Sequence, residues 1–135
     1  MKLIGEGSYG KVYKVSLKKD PSQVFALKAI KKSRLKARSI KRAISERDIM
    51  VRSTHPFIVT IKAAFQDPQY LFYLMDYMER GDLFCNLQGK NSIRENDIKF
   101  YISCVVLALE FLHENKIVYR DLKLENLLVD EMGYI

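Results

Sequence analysis

Cysteine is scarce: Cys85 and Cys104 are the only two in 135 residues, so no disulfide framework beyond a single bridge is available. Both read as small buried hydrophobes in a reducing compartment, which makes the cytoplasm the expected address and the nucleus the alternative. Six glycines and three prolines are too few for a linker, and low-complexity runs are absent. Long apolar runs are missing too. The longest, Tyr70–Met75 and Cys104–Leu109, are six residues each, against the roughly 18 to 20 that a membrane-spanning helix needs. The N-terminal Met1-Lys2-Leu3-Ile4-Gly5-Glu6 lacks the apolar core of a signal peptide. What is present is 48% hydrophobic and 29% charged, which excludes a collagen or a disordered tail. The length admits one domain of ordinary size or a piece of a larger one.

The net charge of +7 conceals an asymmetry. Residues 1–50 carry 14 Lys/Arg against 4 Asp/Glu, whereas residues 51–135 carry 9 against 12. Seven of the cations fall between Lys31 and Arg42. Such a run suits a nucleic-acid patch, a nuclear-import signal or a solvated helix face. No aromatic side chain interleaves it, so base stacking has no platform there.

Patterning predicts strands over the first thirty residues. Val12 and Lys14 alternate with Tyr13 and Val15, and Val24–Ile30 is an apolar run with β-branched and aromatic members. Asp20-Pro21-Ser22 marks the turn between them. A helical stretch follows, with Ile40, Ile44 and Val51 near one face, and Pro56 ends it. Tyr70–Met78 reads as a strand buried on both faces, broken by Arg80-Gly81-Asp82. The clearest element is a helix over 96–113, where Ile98, Tyr101, Ile102, Val105, Val106, Leu109 and Leu112 keep a 3, 4 spacing. Glu95 and Asp97 near its start and His113 near its end suit its macrodipole. Two apolar triplets, Ile117-Val118-Tyr119 and Leu127-Leu128-Val129, are expected as strands on either side of a polar loop. A turn at Asp130–Gly133 comes last.

Three groups of residues carry chemistry. Gly5-Glu6-Gly7-Ser8-Tyr9-Gly10-Lys11-Val12 lies between strand-like segments, and glycines let backbone N–H groups approach phosphate oxygens. A dinucleotide-binding loop would need a helix directly after it, but a strand pattern follows. This leaves a glycine hairpin folding over a nucleotide, or an ordinary flexible turn. Lys28, in Ala26-Leu27-Lys28, stands within a strand pattern, where it is either functional or an edge lysine snorkelling to water. Glu46 lies on the expected helix and is otherwise a partner for Arg42. In Val118-Tyr119-Arg120-Asp121-Leu122-Lys123-Leu124-Glu125-Asn126, a proton acceptor, a phosphate-binding cation and a metal-binding amide stand at fixed offsets in one loop.

Together these motifs resemble the eukaryotic protein kinase family, in its order and spacing. The resemblance implies an α+β, protein-kinase-like fold. Residues 1–78 would be the small lobe and hinge, an antiparallel sheet plus a regulatory helix. Residues 79–135 would begin the mainly helical large lobe. It implies ATP and Mg²⁺ as cofactors, and proteins bearing Ser or Thr as substrates. Gly5, Gly7 and Gly10, with Ile4, Glu6, Ser8, Tyr9 and Lys11, would cover the ATP phosphates, and Lys28, steered by Glu46, would hold two of them. Val12, Ala26 and Leu128 would form the adenine slot, Met75 the gatekeeper, and Asp76 and Met78 the hinge backbone at the adenine edge. Asp121 would accept or orient the substrate hydroxyl proton, Lys123 would bind the γ-phosphate, and Asn126 would hold one Mg²⁺. Lysine two residues after the Asp is similar to serine/threonine rather than tyrosine kinases. Tyr119-Arg120-Asp121, His55-Pro56-Phe57 and Gly81-Asp82-Leu83-Phe84 look like the AGC group. There Asp82 and Glu125 would contact basic residues of the substrate, and Asp82 the ribose as well. Arg42 would sense activation-loop phosphate. The basic run then leads into the regulatory helix and no nucleic-acid partner is expected.

One departure stands out. The chain contains no Asp-Phe-Gly, whose Asp is the family's main Mg²⁺ ligand, and the resemblance places that motif a few residues past Ile135. The first strand would also normally begin before Leu3. The expectation is a partial kinase domain, slightly trimmed in its first strand and inactive by itself. The competing readings are a non-catalytic kinase-like binding module and, from the charge run alone, a nucleic-acid binder with a steep salt dependence.

Overall fold

The computed structural model describes residues 1–7, 10–34, 55–88 and 93–135. The expected helix through Ile40, Ile44 and Val51 lies outside them, as do Arg42, Glu46, Ser8 and Tyr9. The chain divides into two compact units, Met1–Thr54 with Ile58–Tyr77, and His55–Phe57 with Met78–Ile135.

The first unit is a five-stranded antiparallel sheet: β1 (Lys2–Gly7), β2 (Gly10–Ser16), β3 (Val24–Lys31), β4 (Ile61–Gln66) and β5 (Tyr70–Asp76), in the spatial order β1-β2-β3-β5-β4. Asp20 builds the β2–β3 turn as its sequence promised. Its carboxylate accepts from the Ser22 N–H at 3.1 Å and the Ser22 hydroxyl at 2.6 Å, and from Gln23 Nε2 at 2.8 Å. Those bonds, Ser22 first, hold the carboxyl below the usual aspartate value.

One face of the sheet carries the core. Ile30, Ile61 and Tyr73 are buried together, with Leu71 and Met75 packed against them. Burying each such side chain contributes about 1.5–3 kcal/mol. The other face is more open, and there Phe65, 52% exposed, stacks on Phe72 at 5.1 Å. This one-sidedness corrects the expectation of a fully buried fifth strand. Only Tyr73 of β5 is buried, and the strand ends at Asp76, two residues short of Met78. β4 was not anticipated at all. It is an edge strand in which only Ile61 is buried, so its sequence Ile-Lys-Ala-Ala-Phe-Gln shows no alternation to read.

The second unit holds α1 (Leu83–Leu87) and α2 (Glu95–Glu114). Asp82, read as part of a break, caps α1: its Oδ1 accepts from the Cys85 N–H at 2.8 Å. The long helix extends one residue beyond its expected bounds at each end. Arg94 forks onto Asp97 through two bonds of 2.9 Å, and Lys99 meets Glu95 at 2.7 Å. His55–Phe57 joins this unit through aromatic contacts. The His55 ring lies 5.0 Å from Phe111, and Phe57 stacks on Tyr134 at 6.2 Å. The final turn is as expected, with the Gly133 N–H on the Asp130 carbonyl at 3.2 Å.

Two expectations fail here. Ile117–Tyr119 and Leu127–Val129 are not strands. Lys116 at φ 62° and Arg120 at φ 66° turn the backbone out of the extended region at both ends of the first triplet. The second pairs only locally, through a bridge between Leu128 and Asp82. Cys104 is buried, but Cys85 is exposed, and both are free thiols.

Of the apolar stripe on α2, only Cys104 and Leu112 are buried. Ile98, Ile102 and Val106, spaced by four along that stripe, are exposed, Ile102 by 56%, while Phe100 and Leu107 are exposed on the opposite side of the helix. A patch of this kind marks a surface that needs a cover. Residues 1–135 in isolation should therefore enhance the fluorescence of an apolar dye and run larger than a monomer on gel filtration. A monodisperse monomer with no dye response would count against this.

Candidate active site

The sheet register brings together the first-unit residues that the sequence singles out for a nucleotide. Gly5 pairs with Val12, Val12 with Lys28, and Lys28 with Tyr73. Lys14 pairs with Ala26 and Ala26 with Met75. Side chains two apart along a strand share a face, so Val12, Ala26, Lys28 and Met75 all stand on the face that carries the core cluster. Lys28 is half-buried in a strand flanked on both sides, which removes the edge-lysine reading. Ile4 falls at a register shift between Leu3 and Gly5, so it is a bulge residue, 43% exposed.

Strand β2 follows the glycine loop directly, and Gly7 pairs with Gly10 across the hairpin. The three glycines are not equivalent. A Cβ on Gly10 would lie 2.1 Å from the Ala29 carbonyl oxygen, whereas a Cβ on Gly7 would meet no described atom within 4 Å and one on Gly5 only Val12 at 3.9 Å. Gly10 is required by the β2–β3 contact. Gly5 and Gly7 leave open space beside the backbone, which is what a phosphate needs. Glu6 and Lys11 face each other across the hairpin at 3.5 Å, an exposed pair of little energetic weight.

At the end of β5, the Asp76 carboxylate is paired with Lys62 Nζ at 3.0 Å, and Lys14 Nζ sits 4.2 Å from the centre of the Tyr77 ring. Neither contact had a signal in the sequence, because each joins side chains far apart along the chain.

In the second unit, the polar loop closes on one carboxylate. Asn126 Nδ2 donates to Asp121 Oδ2 at 2.7 Å and to the Asp121 carbonyl at 2.8 Å. Lys123 Nζ stands 3.4 Å from the other carboxylate oxygen. Asn126 reaches back because Leu124–Asn126 forms a single 3-10 turn. Just before Asp121, Arg120 takes a left-handed conformation that costs a non-glycine residue about 1–3 kcal/mol, a strain that collects at functional sites. The Asp121 side chain is 67% exposed and open to solvent. Glu125 is exposed on the same loop.

Asp82 and Leu128 are neighbours through backbone. The Leu83 N–H donates to the Leu127 carbonyl at 2.7 Å, and the Val129 N–H to the Gly81 carbonyl at 2.8 Å. Met78 belongs to the same stretch, its carbonyl accepting from the Gly81 N–H at 3.2 Å. Beside Asp82, the Cys85 thiol is raised above its ordinary pKa, first by its hydrogen bond to that carboxylate.

Among the described residues no group of three His, Cys, Asp or Glu side chains could hold a metal ion. The loop supplies at most part of a shell: with Asn126 Nδ2 committed to Asp121, its Oδ1 is the hard oxygen suited to Mg²⁺. Among the described residues, no helix is long and apolar enough to cross a membrane.

The protein kinase domain family matches residues 1–135. Two human proteins, ribosomal protein S6 kinase alpha-6 and ribosomal protein S6 kinase alpha-2, are each 45% identical over 100% of this chain. The serine/threonine-protein kinase SCH9 of Candida albicans is likewise 45% identical over 100% of it. The chain spans 18 to 19% of the length of these relatives. Matched from end to end by that family's model, this chain belongs to the protein kinase domain family.

Proposed function

We propose that these residues form the ATP-binding and proton-accepting part of an enzyme that moves the γ-phosphate of ATP onto Ser or Thr of proteins with basic residues near the target. The observation that carries this reading is the convergence of Asn126 and Lys123 on the Asp121 carboxylate. Asp121 takes the proton from the substrate hydroxyl as its oxygen bonds to the γ-phosphorus, and the bond to ADP breaks. Lys123 offsets charge on the phosphoryl oxygens, Lys28 holds the α- and β-phosphates, and open space at Gly7 admits the chain of phosphates. Mg²⁺, when bound, neutralises charge on the transferred group. Asp82 and Glu125 select basic side chains of the substrate. Two free thiols fit a reducing compartment, the cytoplasm or nucleus.

The test is phosphate transfer by the complete protein to a serine peptide with arginines upstream. Lys28→Met should abolish transfer, and an unchanged rate would contradict the reading. Residues 1–135 alone should transfer no phosphate, because they contain no Asp-Phe-Gly to complete the Mg²⁺ shell. Mg-ATP-dependent labelling by that purified polypeptide would overturn this expectation.

A further inference from the structure

The backbone between Met78 and Asp82 is held by one side chain that the functional reading leaves unused. The Gly81 N–H closes a turn on the Met78 carbonyl, and Gly81 sits at φ 70°, in the left-handed region. Asn86, at the far end of α1, reaches back over this turn. Its Nδ2 donates to the Arg80 carbonyl at 2.6 Å and to the Asp82 carbonyl at 2.7 Å. The Asp82 carbonyl already accepts the helical bond from the Asn86 N–H at 3.1 Å. The Arg80 carbonyl precedes the helix, so no helical N–H is in register with it.

Neither side-chain bond makes the helix, which is capped by Asp82 itself. What they fix is the orientation of the peptide between Arg80 and Gly81, and with it the path from Met78 to Asp82. The ladder from Gly81 and Leu83 to Leu127 and Val129 passes that placement on to Leu128. Three residues assigned to the adenine edge, the ribose and the adenine floor therefore share one brace.

We infer that Asn86 is a positioning residue, which holds Asp82 and Leu128 in the arrangement that recognises the nucleotide and the basic substrate. The inference rests on the proposed function, and adds to it a residue that touches neither ligand.

The experiment uses the complete protein and measures kcat and KM for ATP and for a serine peptide with arginines upstream. In Asn86→Ala both KM values should rise about fivefold, the scale of one or two lost hydrogen bonds, with kcat within about twofold. Asn86→Asp is equal in size but has no N–H to give. It should reproduce the effect, and it serves if the alanine variant is too unstable to assay. Combined with Asp82→Ala, either change should add less than it does alone, since part of its effect acts through Asp82 and the rest through Leu128. Unchanged KM values, a fall in kcat alone, or losses that add in full to those of Asp82→Ala would overturn the inference. Absence of transfer by the unaltered protein is a different failure, that of the functional reading beneath it.

Discussion

Asp121→Asn in the complete protein should lower kcat by about 10²- to 10⁴-fold, the range a positioned general base supplies, while KM for ATP stays within about threefold. The reason for expecting a clean loss of chemistry lies in how the loop is tied. Asn126 Nδ2 bonds both the Asp121 carboxylate and the Asp121 carbonyl. The substitution leaves the backbone bond untouched and keeps one side-chain oxygen able to accept from Asn126, so the loop stays closed while the basic carboxylate is lost. Lys123 loses its partner at 3.4 Å, but it is half-exposed and water can take the place of the carboxylate. The variant should therefore fold, bind nucleotide and fail at proton removal. Steady-state kinetics beside thermal denaturation decide the matter. A kcat within about threefold of the unaltered protein would mean that Asp121 does not take the proton.

The second large effect falls on the glycine hairpin, where sequence alone treats three glycines alike. Gly10→Ala should cost about 3 kcal/mol or more of stability. Its Cβ would stand 2.1 Å from the Ala29 carbonyl oxygen and 3.1 Å from Ile30 Cα. Those are backbone atoms of β3, the strand that joins β2 to β5, so relief means separating the middle of the sheet. Gly7→Ala, with no described atom within 4 Å, should leave stability nearly unchanged. Its cost should appear in KM for ATP, because the added methyl occupies space beside the backbone where a phosphate would approach. Chemical denaturation and nucleotide kinetics on the two variants separate the roles. Equal stability losses at the two positions would contradict the assignment.

How much of this was legible depends on whether a feature had a local cause. β2, β3 and α2 follow from apolar spacing, and the Asp20 turn from side-chain bonds to Ser22 and Gln23. The Asp121 loop was legible because its residue types and offsets are themselves the signal. β4 left no trace, since an edge strand with one buried residue has no pattern to display. α1 is five residues long, too short for a period, although Asp82 was a legitimate capping signal. The apolar triplets around the loop looked like strands by composition. Left-handed Lys116 and Arg120 decide otherwise for the first, and such backbone states are rarely written in non-glycine residues. Lys62 on Asp76 and Lys14 on Tyr77 depend on packing, and only the folded chain reveals them.

The most direct test of the central claim, that the Asp121–Lys123–Asn126 loop transfers phosphate to hydroxyls of Ser and Thr, is phosphoamino-acid analysis of a protein substrate labelled from γ-labelled ATP by the complete enzyme. The account predicts label on phosphoserine or phosphothreonine, and none when Asp121 is replaced by Asn. Label confined to phosphotyrosine, or label that survives that replacement at full strength, would contradict it.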